Sequence, residues 1–155
     1  MILGLKKHKP VVSKIKTVAI LNNPESKLDI KKLKLLENKL GLDSENFKIF
    51  TIKNKKDNFN ELRGLVADSL DINLFGAIKN QQIKEFLNEK YDLLIDFTGL
   101  KKDLEKYFSL KINAGFRVGY TNDDNIYDLM LNVKYGDIDT FIKEMTFYLE
   151  LMQLI

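Results

Sequence analysis

Few side chains in this sequence are equipped for chemistry, and the missing ones narrow the field first. The 155-residue chain contains no cysteine, which excludes thiolate nucleophiles, iron–sulfur ligation, thiolate metal sites and disulfide scaffolds. Its single histidine, His8, stands in a basic N-terminal stretch, and one imidazole builds neither a histidine-based triad nor a multi-histidine metal site. Carboxylates, hydroxyls and lysines remain. Asp96 is the most suggestive of them, because it sits in the apolar run LLIDF at 93–97. A carboxylate in such a run costs free energy unless it is hydrogen-bonded or lies at the exposed end of a strand. One reading gives Asp96 a role in a strand-end cleft; the other makes it an acceptor for backbone N–H groups or a cap for the next helix. Asp92, Asp123, Asp124 and Asp128 are further candidates to join it around magnesium. Loop aspartates ordinarily make turns, so no metal site is expected.

In an open α/β sheet, ligands bind beyond the carboxyl ends of the strands, near the point where strand order reverses. Here those ends supply Asn22, Asn23 and Ser26 after the first strand, and Asp96, Thr98 and Gly99 around the end of the LLIDF strand. Residues 121–124 follow a later strand. The first turn, LNNPES, lacks the glycines that let a phosphate approach a helix N-terminus, and the chain has neither a dinucleotide fingerprint nor a P-loop. No cofactor is therefore expected, and no catalytic set is assigned.

The elements that must position these residues follow from pattern. The run TVAIL at 17–21, bounded by Asn22, Asn23 and Pro24, reads as a buried strand. Ser26 and Asp29 have the spacing of a capping box; Leu28, Leu33, Leu36 and Leu40 then repeat at helical spacing until Gly41 closes the helix. Lys27, Lys31, Lys34 and Asn38 fall on the opposite face. FKIFTI at 47–52 reads as the second strand, and a short strand is expected at 72–75, stopped by Gly76. Asn80 caps a helix bearing Ile83, Phe86 and Leu87. After LLIDF, a helix carries Leu100, Leu104, Tyr107 and Phe108, short strands occupy 116–120 and 129–133, and a long helix runs over 138–155. Strands alternating with helices predict an α/β fold, a single Rossmann-like domain with a mostly parallel sheet flanked by helices. The expected organisation is a basic arm over 1–16 and one domain over 17–155, with the first strand between the second strand and LLIDF.

Charge and apolar patterning supply the partner expectations. Residues 1–60 carry 14 Lys against 6 acids, a balance of +8, while residues 61–155 carry 11 Lys or Arg against 16 acids, a balance of −5. The basic half suits nucleic acid, an anionic membrane surface or an acidic partner. Arg63 and Arg117 are the only arginines, which argues against dedicated phosphate recognition and for weak, non-specific nucleic-acid contact. The last helix has one apolar stripe through Ile138, Phe141, Ile142, Met145, Leu149 and Met152, widened by Phe147, Leu151 and Leu154. The surplus points to a homodimer or a protein partner, with burial inside the domain as the alternative. No uncharged run reaches spanning length, so no transmembrane segment and a cytoplasmic location are expected.

In LLIDFTG, GFRVGY at 115–120, YDLMLNV at 127–133 and the final DIDTFIKEMTFYLELMQLI, the chain resembles a family of short uncharacterised flavobacterial proteins of unknown function. That resemblance implies one fold and no activity. At 92–99 and 117–120 the chain is also similar to the N-terminal domain of heptosyltransferase-type glycosyltransferases, which implies shared architecture. The second domain, where such enzymes hold the nucleotide-sugar donor, has no counterpart in these residues. Three readings follow: a non-catalytic cytoplasmic binding or interaction protein, a small enzyme or ligand-binding domain using the cleft near Asp96, and an RNA- or ribosome-associated factor using the lysine-rich half.

Overall fold

The computed structural model describes residues 14–53, 62–72 and 76–155. Most of the expected arm, the polar stretch 54–61 and residues 73–75 lie outside that description.

Among the described residues six strands form one parallel sheet: β1 (Val18–Asn22), β2 (Phe47–Ile52), β3 (Leu65–Ala67), β4 (Lys90–Asp96), β5 (Asn113–Tyr120) and β6 (Leu129–Leu131), in the order β3-β2-β1-β4-β5-β6. This is the doubly wound order of Rossmann-like domains. The first strand stands between the second strand and the LLIDF strand, as the sequence predicts.

Helices cover both faces. Leu33, Leu36 and Leu40 of α1 (Ile30–Leu40) and Phe141, Met145 and Leu149 of α4 (Ile138–Leu151) pack with Val18, Ile20, Leu93 and Ile95. On the other face, Ile83 and Phe86 of α2 (Gln81–Asn88) and Phe108 of α3 (Asp103–Lys111) pack with Ala19, Leu21, Phe50 and Leu94. Central parallel strands are buried on both sides, which is why they read as unbroken apolar runs rather than alternations.

Local chemistry sets most helix boundaries. Asp29 is the N-cap of α1 and accepts from Lys32 N–H at 2.8 Å, while Leu28 and Leu33 enter the same core on either side of it. The start therefore falls at Asp29. Ser26 belongs to a preceding turn, where its hydroxyl meets Asn22 and accepts from Leu28 N–H. Gly41 closes the helix at φ 65°, and Asn80 caps α2 by accepting from Gln82 and Ile83 N–H.

Residues 73–75 of the strand expected at 72–75 lie outside the described residues; Ile72 forms an isolated antiparallel bridge to Ile78. Among the described residues nearby, β3 is an unexpected strand, its three residues being too few to display a periodicity. One expectation needs correction. At the other end, α4 stops at Leu151, and Gln153 at φ 60° turns the chain back on itself. Leu154 N–H then reaches Leu149 O at 2.9 Å, and Leu154 O accepts from Ile15 N–H at 2.9 Å. Leu154 is consequently core, at 3% exposure, and not surface; Phe147 and Leu151 are each 57% exposed. No helix among the described residues is long and apolar enough to cross a membrane.

Candidate functional site

Strand order reverses between β1 and β4, whose residues Leu21 and Asp96 are register partners at the carboxyl end. The six strand-end candidates meet there. Asn22, Ser26, Asp96 and Thr98 are fully buried, Asn23 is 2% exposed, and Gly99 lies at the partly exposed mouth. Glu105, also fully buried, joins them from the first turn of α3.

Asp96 is surrounded by donors. Its Oδ1 accepts from Thr98 N–H at 2.9 Å and Thr98 Oγ1 at 2.6 Å; its Oδ2 accepts from the Tyr127 hydroxyl at 2.5 Å. Burial pushes the carboxyl pKa up, and hydrogen bonds from Thr98 and Tyr127 pull it partway back. Tyr127 is raised in turn by its own burial and by the charge of Asp96. Ser109 Oγ sits beside this pair without a hydrogen-bond partner of normal geometry.

A second part of the network runs through Asn23. Its Nδ2 donates to Thr98 O at 3.1 Å and to Glu105 at 3.2 and 3.3 Å, while its Oδ1 accepts from the Tyr135 hydroxyl at 2.8 Å. Glu105 also accepts from Lys101 N–H at 3.2 Å, satisfying a donor just ahead of α3. Its pKa is raised by burial, lowered by the Asn23 hydrogen bond and raised again by the charge of Asp96. Two acidic groups thus share one buried compartment.

Three tyrosines close that compartment. The Tyr135 ring covers Gly99 so closely that a Cβ there would lie 3.0 Å from it, and Lys101 Nζ stands 3.5 Å over the ring centroid. Burial pushes the Tyr135 phenol up to about 12. Tyr120 packs between Tyr135 and Phe141, at ring separations of 5.5 and 4.9 Å, and its hydroxyl accepts from Gly136 N–H. Tyr127 lies beneath, on Gly119. The crevice that holds ligands in this architecture is here filled by the protein's own side chains.

The remaining candidates disperse. Asp92 is at the opposite end of β4, accepting from Lys16 and Thr17 N–H, Asp124 pairs with Lys106 at 3.4 Å, and Asp128 accepts from Arg117 N–H at 2.9 Å. Among the described residues no three His, Asp or Glu side chains converge as metal ligands. Arg117 donates to the carbonyls of Ser109 and Ile112, so it caps the C-terminus of α3. A cavity of about 490 Å³, lined in part by Phe47, Arg63, Phe86 and Tyr91, lies at the amino end of the sheet, away from this network.

Sequence reasoning missed Glu105, Ser109, Tyr127 and Tyr135. For the first two a signal existed: Glu105, Phe108, Ser109 and Ile112 recur at helical spacing, which puts both polar residues on the buried face of α3. Tyr127 and Tyr135 come from loops, where no periodicity marks a buried residue.

The fold and this network define a Rossmann-like α/β protein whose switch point is closed by polar and aromatic side chains. The chain belongs to a family of unknown function, DUF6913, whose model matches residues 4–152. Searches of curated proteins and of solved structures gave no match.

Proposed function

We propose that this protein is a non-catalytic cytoplasmic binding or interaction protein, its partner another copy or a different protein docking through α4. The observation that carries the reading is the closure of the switch point. Asp96 spends both oxygens on Thr98 and Tyr127, and Tyr135 covers the mouth, so no buried acid there faces a substrate. The cysteine-free composition suits the cytoplasmic placement.

A second reading, ligand binding in this crevice on a heptosyltransferase-like architecture, is favoured by one observation. Asn22 Nδ2 and Ser109 Oγ are buried without partners, and unsatisfied buried polar atoms call for an account. Amide-resolved NMR titration with sugar nucleotides, sugar phosphates and nucleotides separates the two. Unchanged resonances at residues 22–26, 96–99 and 135–136 are expected; saturable shifts there at sub-millimolar ligand would replace the first reading with the second.

The lysine-rich half supports weak nucleic-acid contact, with Lys27, Lys31 and Lys34 exposed in and just before α1. Binding to a mixed-sequence RNA should be measurable at low salt and lost near physiological salt, because each phosphate contact releases counterions. Sequence-selective binding that survives physiological salt would instead favour an RNA-associated factor.

A further inference from the structure

The chain enters the domain at the C-terminal end of α4, next to the exposed apolar residues of that helix. Lys16 and Thr17 N–H donate to Asp92 Oδ2 at 2.8 and 3.1 Å, and Ile15 N–H donates to Leu154 O at 2.9 Å. Three consecutive residues are therefore held, and Ile15 is buried in the same core as Leu149 and Leu154. Whatever precedes Ile15 starts from this point. Three extended residues span about 10 Å, and one helical turn back along α4 is about 5.4 Å. Val12 and Val11, just ahead of Ile15, are thus within reach of Leu151 and Phe147 by connectivity alone.

The face that α4 turns to solvent matches those residues in kind. Phe147 and Leu151 are each 57% exposed, and the Phe147 ring meets Tyr148 edge-on at 5.2 Å. Apolar surface of this kind gains free energy by being covered. The last turn of α4 has no basic residue and exposes Glu150, while Glu144, ahead of Phe147, is partly exposed. Carboxylates and helix dipole together make that end of α4 negative. The sequence ahead of Ile15 reads Lys6-Lys7-His8-Lys9-Pro10-Val11-Val12-Ser13-Lys14. Two apolar residues following a run of lysines complement two apolar residues set among carboxylates.

We infer that residues 9–13, which lie outside the described residues, cover this face of α4, with Val12 and Val11 against Leu151 and Phe147 and Lys9 towards Glu144. The contact is made within one chain. A tether this short supplies an effective concentration in the mM range, so even a weak contact is occupied. It stands whether or not a partner docks through α4; a partner that does so has to displace residues 9–13 first.

The absence of native cysteine allows a direct test with the pair Val12→Cys, Leu151→Cys. Oxidised at about 1 µM, where the tether outcompetes encounters between chains, it should close a disulfide within one chain, seen as a compact monomer on a non-reducing gel. The reference pair Val12→Cys, Glu150→Cys places its second cysteine at nearly the same height on α4 but about 100° around the helix. A tether alone closes both pairs at equal rates, whereas docking on Leu151 closes the first about tenfold faster or more. Equal rates or no disulfide overturn the inference. Disulfide-linked dimers overturn it too, by seating a second copy on α4. Leu151 and Glu150 are both exposed, so the variants should fold. Should one unfold, the native chain decides by NMR: contacts between the Phe147 ring and the Val11 or Val12 methyl groups support the inference, and their absence overturns it.

Discussion

Asp96→Asn should fold and melt close to the native protein at neutral pH, whereas Asp96→Ala should lose on the order of 3 kcal/mol. The difference follows from what each leaves behind. Alanine removes the acceptor for Thr98 N–H, Thr98 Oγ1 and the Tyr127 hydroxyl, and each buried donor left unpaired costs about 1–3 kcal/mol. Asparagine keeps an oxygen for Thr98 and offers an N–H to the Tyr127 oxygen, with Ser109 Oγ next to that phenol. It also relieves the cost of holding a negative charge in a compartment shared with Glu105. Tyr127→Phe should fall between the two, because it withdraws one donor from the carboxylate. Chemical denaturation of the three variants checks the order; Asp96→Asn as damaging as Asp96→Ala would mean that the charge itself is required.

The same compartment sets a pH dependence whose sign can be worked out. Asp96 and Glu105 have pKa values raised in the folded state, chiefly by burial. Between the unfolded carboxylate range, about 4, and those raised values, the folded protein holds protons that the unfolded chain has released. This contribution is fully present below the unfolded pKa and is lost as pH rises through the folded one. Asp137 acts oppositely: its hydrogen bonds with Thr140 lower its pKa, so its contribution is lost as pH falls. Acidifying from neutral pH towards 5 should raise the denaturation midpoint of the native chain, and Asp96→Asn should flatten that rise. A native midpoint that falls steadily over this interval would mean that the two buried acids are ionised without cost.

How much of this was legible depended on whether a residue's role was local. The central strands were plain because burial on both faces leaves unbroken runs such as TVAIL and LLIDF, and Gly41 and Asn80 announce helix ends by backbone and hydrogen-bonding chemistry confined to a few residues. Asn22, Asn23, Ser26, Asp96, Thr98 and Gly99 were legible as a group because fold rules alone bring those strand ends together. Their closure was not. It depends on Tyr127 and Tyr135, which reach back from loops across a separation of 31 residues to Asp96 and 112 residues to Asn23. Leu154 misled for a related reason: extrapolated helical spacing put it on the surface, but the left-handed turn at Gln153 and the bond to Ile15 return it to the core. Arg117 looked like part of a strand motif, and only the packing of α3 against β5 makes it a helix cap.

Gly119→Ala should be among the most damaging single-methyl additions to this chain, costing about 3 kcal/mol or more. Gly119 lies in β5 as the register partner of Asp96, and the Tyr127 ring rests directly on its Cα. A Cβ there would lie 2.3 Å from Tyr127 Cε2 and Cζ, far inside carbon–carbon contact distance. The ring cannot yield cheaply, since Tyr127 is fully buried and its hydroxyl is bonded to Asp96. Moving it gives up that hydrogen bond and disturbs packing, and overpacking alone costs about 1–3 kcal/mol. The three nearest atoms to that Cβ all belong to the Tyr127 ring, which makes the clash separable from any general need for glycine in the strand. In a Tyr127→Ala background, Gly119→Ala should cost little further, giving a coupling energy of about 2 kcal/mol or more in a double-mutant cycle. Additive effects of the two substitutions would show that Gly119 is required by its backbone, and that the tyrosine is not held against it.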